Sequence, residues 1–412
     1  MDLVSTEQIR RRNRTQVLER LIREGPSTRI VLAAQCGLSP ASAANMIQDL
    51  QRQGLVTVNG IERSKGGRPS LLVEASADAA FFVGADVGEA GVTVGLYDLT
   101  FALRDSANTA TASAVASVAE SAQAIKGGLD VLRQRNREEW KRVGGIGLAL
   151  PGIVDTQHAA GPTLYAQSIG WPPVAVADLC MHGDIRVTAD NGAKAYARAE
   201  LWRGAVSHQE EAECAVVVLL GRGLGMGILN HGKIMRGLSS SAGELGHMKV
   251  TTGGRLCTCG ARGCLEALIG GEAILARWVE GGGAPMASEE ECVEHILATA
   301  NKDPLAGELL DETVTYLATG LSNVVNMVNP GLCVIGGWLG QELMKSRGSE
   351  IEAKTRQFAL RHPAQQVQVA GTELGRNAVA LGGALAAFGD FMENLDPAVP
   401  VKHARPEASV GH

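Results

Sequence analysis

The stretch that decides the fold reads Glu244-Leu-Gly-His247, followed by Cys257-Thr-Cys259-Gly-Ala-Arg-Gly-Cys264-Leu-Glu266. Its three cysteines and its histidine offer three thiolates and one imidazole, the number and kind of ligands that a tetrahedral zinc ion prefers. The alternative is a set of reduced core cysteines with a chance histidine, but no hydrophobic periodicity explains them. Because four protein ligands leave no open coordination position, the sequence predicts one structural zinc ion per chain. The predicted ligands are His247, Cys257, Cys259 and Cys264.

Two glutamates flank these predicted ligands. Glu244 lies three residues before the histidine, and Glu266 lies two residues after the last cysteine. A carboxylate accepts strong, charge-assisted hydrogen bonds, so a metal-stapled loop would hold both acids beside a polar ligand.

Size and composition describe an ordinary globular protein. The 412 residues are too many for one core, which predicts two or three domains. No apolar run is long enough to span a bilayer, and residues 1–5 lack the features of a signal peptide. We therefore expect a cytoplasmic protein without membrane contact, whose remaining five cysteines are reduced core residues.

The net charge of −6 conceals an asymmetry. Residues 1–75 hold 11 basic and 7 acidic side chains, whereas the remainder holds 27 basic and 37 acidic ones. A basic N-terminal region on an acidic body suggests that only this region meets a polyanion.

Residues 1–76 have the element order of a winged helix-turn-helix. A helix over 5–24 ends at Gly25-Pro26, a short helix follows Thr28, and Gly37-Leu-Ser39-Pro40 opens a third helix that runs to about Gln53. The buried face of that third helix is predicted as Ala44, Ile47 and Leu50. A strand over 55–58, the hairpin dipeptide Asn59-Gly60 and a strand near 71–73 would form the wing.

The polar face of the third helix and the basic wing loop predict binding to double-stranded DNA. Short polar side chains on the helix can reach base edges, and basic side chains on the wing can reach phosphates or the minor groove. The alternative is a small helical domain whose polar face is only solvated. The predicted contacts are Ser39, Ser42, Asn45 and Gln48 on the helix, and Arg63, Lys65 and Arg68 on the wing.

Alternating strands and helices after residue 77 predict an α/β domain over residues 77–395. We expect a first lobe over about 77–190 completed by a C-terminal helix over about 378–395, and a second lobe over about 191–377. Residues 396–412, with three prolines and few large apolar groups, are predicted to be a disordered tail.

Three glycine-rich turns follow buried strands, near 86–91, 221–227 and 336–340. Such turns suit phosphate groups, but strand-to-helix turns also use glycine for steric reasons alone. The first turn carries the carboxylates of Asp86 and Glu89, and the second carries the bulk of Arg222. These residues count against a working nucleotide site.

Taken together, the turns and the Cys/His/Glu segment resemble the ROK family (repressors, open reading frames and sugar kinases) over about residues 5–390. The segment Gly67-Arg68-Pro69 resembles its repressor branch. The resemblance implies an actin-like, hexokinase-like pair of α/β lobes with a sugar in the cleft. It also implies that Glu244, His247 and Glu266 bind sugar hydroxyls, and that His247 shares this role with zinc ligation.

One departure from the family concerns the catalytic base. In kinases of the family an Asn-Asp pair precedes an alanine-rich helix, and counting back from Glu200 places that pair at Asn191-Gly192. Asn191 can still bind a sugar hydroxyl, but Gly192 has no base, and Asp190 could replace it only if the helix register slipped. A missing base costs about 10²–10⁴-fold in rate. We therefore expect no catalytic residues and no enzyme activity.

The resulting hypothesis is a repressor of sugar uptake or metabolism genes, with operator DNA and a sugar or sugar phosphate as partners. Palindromic half-sites favour a homodimer or a dimer of dimers. An active ATP-dependent sugar kinase with a DNA-binding head is the first alternative. An effector-blind repressor that answers to a protein partner is the second.

Overall fold

The computed structural model describes residues 5–62, 70–88, 91–111, 116–208 and 213–395. The first unit, residues 5–76, is called the head. Its elements are α1 (Thr6–Glu24), β1 (Ser27–Thr28), α2 (Arg29–Gln35), α3 (Pro40–Arg52), β2 (Val56–Glu62) and β3 (Ser70–Ala75). The three strands form one antiparallel sheet in the order β1-β3-β2, and the axes of α2 and α3 meet at 111°.

Two details of the head differ from the sequence prediction. The dipeptide Asn59-Gly60 is not the hairpin turn but lies inside β2, where the pairing with β3 shifts register. Gly60 has φ +99°, which only glycine adopts easily, so the dipeptide forms a β-bulge instead. On α3, Ala43 is fully buried and Ala44 only half-buried, so the apolar face is rotated by one residue from the predicted one.

The next part of the chain builds a five-stranded sheet in the order β11-β7-β4-β5-β6. Its elements are β4 (Phe81–Gly88), β5 (Gly91–Asp98), β6 (Leu103–Thr109), α4 (Val118–Arg135), α5 (Arg137–Trp140), β7 (Val143–Leu150), β8 (Ile153–Asp155), β9 (Thr163–Tyr165), β10 (Val174–Ala175), α6 (Val176–Leu179), β11 (Val187–Asn191) and α7 (Gly192–Arg203). Strands β8 to β10 form a separate small sheet that the sequence did not predict.

A second five-stranded sheet follows, in the order β14-β13-β12-β15-β16. Its elements are β12 (Cys214–Leu220), β13 (Leu224–Asn230), β14 (Lys233–Ile234), α8 (Glu266–Ile269), α9 (Gly271–Glu280), α10 (Glu289–Thr299), α11 (Pro304–Val328), β15 (Leu332–Gly336), α12 (Trp338–Phe358), α13 (Arg361–Gln366), β16 (Gln368–Gly371) and α14 (Ala378–Asn394). Each sheet joins three parallel strands to two antiparallel ones, which makes the two halves alike.

The helices α12 and α13 and the strand β16 were not anticipated from the sequence. Helix α12 is irregular at Arg347, where φ is −135°, and its few buried side chains do not form a continuous stripe. A break of this kind hides the 3.6-residue periodicity that identifies a helix.

Helix α14 packs in the centre of the molecule, against β4, β7 and α7. Glycines allow this close approach: a Cβ at Gly382 would overlap the carbonyl oxygen of Ala195 on α7, and one at Gly147 would overlap that of Gly383. Both sheets are therefore connected through two tightly packed helices, α7 and α14.

The head is attached to α7 and α14 through α1. Arg11 and Arg14 donate hydrogen bonds to the carbonyl oxygens of Glu393 and Leu395, at 3.0 and 3.1 Å. The guanidinium of Arg23 lies 5.8 Å from the ring centre of Trp202. The C-terminal end of α14 is thus capped by side chains from the first helix of the head.

Among the described residues, no single helix combines the length and apolarity needed to cross a membrane. The bent pair α2 and α3 meets the test by length and composition only. Its apolar side chains Leu32, Ile47 and Leu50 are buried in the core of the head.

Candidate functional site

The four predicted metal ligands converge in space. The donor atoms of His247, Cys257, Cys259 and Cys264 all lie within 4.8 Å of one another. The Cys257 Sγ is 3.7 Å from His247 Nδ1, and the Cys259 and Cys264 sulfur atoms are 3.7 Å apart. A tetrahedron of thiolates around zinc has edges of about 3.8 Å, so the cluster has the geometry to hold a metal ion of this size.

The loop that carries the cluster is held by tight glycine turns and one lysine. Gly263 has φ +78°, and a side chain there would overlap the Thr251 carbonyl oxygen. Lys249 donates to Cys264 Sγ at 3.0 Å and to the His247 carbonyl oxygen at 2.8 Å. Three thiolates exceed the charge of a divalent cation by one, and the Lys249 ammonium would offset it. Sequence reasoning missed this lysine because no motif marks it.

The two glutamates lie beside the cluster as the sequence predicted. Glu244 precedes a short 3₁₀ helix, Leu245–His247, which ties it to the histidine ligand. Glu266 begins α8, and its Oε2 accepts a hydrogen bond from the Leu224 backbone N–H at 2.9 Å. This bond links the metal loop to the start of β13. Burial raises the pKa of Glu244, while Lys194 opposes the shift.

Asn191 lies at the junction of β11 and α7 and acts as the N-cap of the helix. Its Oδ1 accepts from the backbone N–H groups of Ala193 and Lys194, at 3.0 and 3.2 Å, and its Nδ2 donates to the Gly152 carbonyl oxygen at 2.7 Å. The side-chain oxygen is thereby occupied. The second Nδ2 hydrogen is what Asn191 retains for a sugar hydroxyl.

Asp190 is the carboxylate nearest to Gly192 in sequence, and two arginines neutralise it. Arg198 and Arg236 donate to its Oδ2 at 2.8 and 2.7 Å, and Arg236 also donates to Oδ1 at 3.1 Å. Burial would raise the pKa of this carboxyl, but the two guanidiniums outweigh burial and hold it below its usual range. A carboxylate in this state is a weak proton acceptor, so Asp190 is unsuited to act as a general base.

The glycine-rich turns carry the three residues that count against nucleotide binding: Arg222, Asp86 and Glu89. Arg222 forms ion pairs with Glu289 and Glu272, at 2.9 and 3.2 Å, so its guanidinium crosses from the turn to the following helices. Asp86 lies at the end of β4, where burial raises its pKa to about 7. The Glu89 of the first turn lies outside the described residues.

In the head, the predicted DNA-contacting side chains on α3 differ in their surroundings. Asn45 and Gln48 are exposed. Ser39 caps the helix, with its Oγ accepting from the Ser42 N–H at 3.1 Å, and the two hydroxyls are 2.9 Å apart. The three wing residues, Arg63, Lys65 and Arg68, lie outside the part of the chain that the structure describes.

An ion pair between a buried carboxylate and an exposed arginine, which the sequence did not reveal, fixes α3 to α1. Asp49 is 1% exposed and accepts two hydrogen bonds from Arg10, at 3.0 and 2.5 Å. Arg52 of the same helix contacts its other oxygen. The pair sets the orientation of α3 relative to α1.

Comparison with known proteins gives consistent results. The DNA-binding transcriptional dual regulator NagC of Escherichia coli K12 is 27% identical over 341 residues, which cover 80% of this chain and 81% of the regulator. The glucokinase of Halalkalibacterium halodurans is 32% identical over 254 residues, 58% of this chain and 74% of the enzyme. The crystal structure of a ROK family transcriptional regulator, a homologue of the E. coli MLC protein, superposes with a TM-score of 0.74. That structure is 23% identical and covers 93% of this chain and 97% of its own.

A family model also matches most of the chain. The model described as the ROK family matches residues 89–389, which include the second five-stranded sheet, all of the first one except β4, the metal-ligand cluster and the flanking glutamates. This confirms the resemblance inferred from the sequence: the chain belongs to the ROK family.

Proposed function

We propose that this protein is a DNA-binding transcriptional regulator, a repressor of genes for sugar uptake or metabolism, whose ROK domain senses a sugar and alters operator binding. The head would act as a winged helix-turn-helix over residues 1–76, with α3 in the major groove. The observation that carries the proposal is the neutralised carboxylate next to Gly192. Because this carboxylate is neutralised, the proposed sugar site has no general base. The head nevertheless stays attached to α7 and α14, the helices beside that site.

The geometry of the head supports DNA binding. The crossing of α2 and α3 at 111° is typical of a helix-turn-helix, and Asn45 and Gln48 project from the exposed face of α3. We propose that Ser39, Ser42, Asn45 and Gln48 contact the bases. The Ser39 hydroxyl oxygen already accepts the Ser42 N–H as the helix cap, so only its remaining hydrogen-bonding positions are available to DNA. Arg63, Lys65 and Arg68 would contact the phosphate backbone.

A short connection runs from the sugar site to the head. Arg198, which binds Asp190, also donates to the Gly382 carbonyl oxygen of α14 at 3.3 Å. The other end of α14 holds Arg11 and Arg14 of α1. A ligand that bound Asn191, Glu244, His247 and Glu266 and moved α7 would thus shift α14 and the head. Such a ligand needs only a higher affinity for one arrangement than for the other.

We propose a structural zinc ion at His247, Cys257, Cys259 and Cys264. When bound, it would fix the loop that presents Glu244 and Glu266, since all four positions are filled by protein ligands. We propose that the regulator is a homodimer or a dimer of dimers, because palindromic operators match two-fold symmetry.

The decisive test combines DNA binding with a sugar screen. We expect the purified protein to bind DNA from its own promoter region, and one monosaccharide or sugar phosphate to change that affinity. An absence of any sugar effect, with intact DNA binding, would favour the effector-blind repressor instead.

A sugar kinase with a DNA-binding head is the second candidate, because a glucokinase is 32% identical to this chain. ATP turnover with a panel of hexoses separates the two. We expect no turnover above background, and none should appear in Asp190→Ala. Phosphorylation that this substitution abolishes would refute the pure sensor.

A further inference from the structure

Lys194 is a cation whose side chain is almost wholly buried. It lies in the first turn of α7 and is only 1% exposed. Among the described residues, its ammonium makes no hydrogen bond and no ion pair at contact distance, although Glu244 and Asp190 are near enough to attract it. Burial of an unpaired ammonium is costly, and most proteins avoid it. A buried lysine of this kind needs an explanation.

The neighbouring carboxylates do not explain it. Both oxygens of Asp190 already accept hydrogen bonds from Arg198 and Arg236, and its Oδ1 also accepts the Asn191 N–H. Burial favours the neutral form of Glu244. Asp190 is thus already saturated by two arginines, and Lys194 is left with Glu244, which Glu266 also crowds with a like charge.

There is open space at the first position of α7, where a Cβ at Gly192 would meet only the Leu150 carbonyl oxygen, at 3.8 Å. The positive end of the α7 dipole lies at this position, although Asn191 already accepts the N–H groups of Ala193 and Lys194. Arg236 is 37% exposed, so it can contact a ligand without releasing Asp190.

We propose that Lys194, Arg236 and the N-terminus of α7 form a subsite for an acidic group on the sugar ligand. This inference rests on the proposed sugar-sensing function and narrows the ligand class to acidic sugars. A phosphate monoester and a sugar carboxylate share the required chemistry, because both present anionic oxygens to an ammonium and a guanidinium. A neutral sugar would leave the Lys194 charge unpaired in the complex.

Calorimetry on the full-length protein tests this with matched ligands. The probes are glucose, glucose 6-phosphate and glucuronate, and N-acetylglucosamine with its 6-phosphate, at constant ionic strength. The variant is Lys194→Met, which keeps the length of the side chain and removes its charge. The matched control is Lys345→Met, an exposed lysine that pairs with Glu342 on α12.

We expect the wild type to bind one acidic sugar at least about 10-fold tighter than its neutral parent. Lys194→Met should reduce this ratio to about 2-fold or less, whereas Lys345→Met should leave it unchanged. The phosphate and carboxylate probes identify which acid is preferred. A preference for the neutral sugar, or an acidic preference that survives in Lys194→Met, would overturn the proposal.

A second measurement separates this inference from the proposed function. If none of these sugars binds, the proposed sensing function is not supported for them. The change in melting temperature on adding inorganic phosphate still tests the subsite independently. Phosphate should stabilise the wild type and Lys345→Met more than Lys194→Met, relative to sodium chloride of equal ionic strength. Equal effects on all three proteins would refute the subsite.

The ligand-free melting temperature addresses a purely structural role. If Lys194 only compensated the charge of Glu244, Lys194→Met would melt at a lower temperature than the wild type. A lysine retained for a ligand predicts the opposite, an equal or higher melting temperature, since a buried unpaired charge is removed. A lower melting temperature of Lys194→Met, together with an unchanged ligand preference, would show that Lys194 has only a structural role.

Discussion

The contact between α7 and α14 can be tested with one methyl group. Gly382 faces the Ala195 carbonyl oxygen, and a Cβ at this position would overlap that atom. Gly389 lies two turns further along the same helix, and a Cβ there would meet nothing within 4 Å. Gly382→Ala and Gly389→Ala are therefore the same chemical change in the same helix, and only the first one forces α7 and α14 apart.

The expected free energies of unfolding differ in sign. Alanine is favoured over glycine inside a helix by about 0.5–1 kcal/mol, so Gly389→Ala should stabilise the protein slightly. Gly382→Ala gains the same term, but the overlap with a backbone atom cannot be relieved by a side-chain rotation. Overpacking of this kind costs about 1–3 kcal/mol or more. At about 2–4 °C per kcal/mol, an overpacking cost of about 1–3 kcal/mol should separate the two variants in melting temperature by roughly 2–12 °C.

The functional effect should follow the same contact. Displacement of α14 from α7 would lengthen the hydrogen bond from Arg198 to the Gly382 carbonyl oxygen, which links the proposed sugar site to α14. We expect Gly382→Ala to retain DNA binding and to lose the change in DNA affinity on sugar addition. Gly389→Ala should respond as the wild type does.

Differential scanning calorimetry and fluorescence anisotropy with labelled operator DNA provide the two readouts. Equal melting temperatures for the two variants would show that α7 and α14 do not pack as described. A lower melting temperature with a normal sugar response would show that the signal does not pass through this contact.

Three further predictions concern the metal, the DNA contact and pH. Elemental analysis should find about one zinc ion per chain in the wild type and in the control variant Cys214→Ser. Cys257→Ser should hold less zinc and be less stable. A metal-free wild type of normal stability would refute the zinc site. Asn45→Ala should lose about 1–3 kcal/mol of discrimination between operator and unrelated DNA, with little change in non-specific affinity. Unchanged discrimination would refute the proposal that α3 binds in the major groove. The pKa of Asp86 rises from 3.8 to about 7 on folding, so its contribution destabilises the protein progressively as pH rises from about 4 to 7. Asp86→Asn should therefore stabilise the protein above pH 7, by up to about 4 kcal/mol, and have little effect near pH 4. An equal effect at both pH values would contradict the raised pKa of Asp86.

Local features of the sequence predicted the parts of the molecule that depend on neighbouring residues. The four metal ligands lie within one segment, 247–264, so their spacing alone brought them together, and the structure agrees. Caps and glycine turns placed α1 and α3 within a residue or two. The β-bulge at Asn59-Gly60 was misjudged because this dipeptide suits both a hairpin turn and a bulge, and pairing with β3 decides between them.

The sequence by itself determined the family and the segment that holds the candidate metal ligands, and it predicted a glycine at the position of the catalytic base. Only the tertiary structure decided what surrounds that position. Arg236 reaches Asp190 across 46 residues of sequence, Arg10 reaches Asp49 across 39, and Arg14 reaches the end of α14 across 381. Such pairings depend on how helices and sheets pack, because a charged side chain carries no local signal of which distant partner will neutralise it. For the same reason Lys194 reads as an ordinary helical lysine in the sequence, and only burial in the folded chain gives it a role.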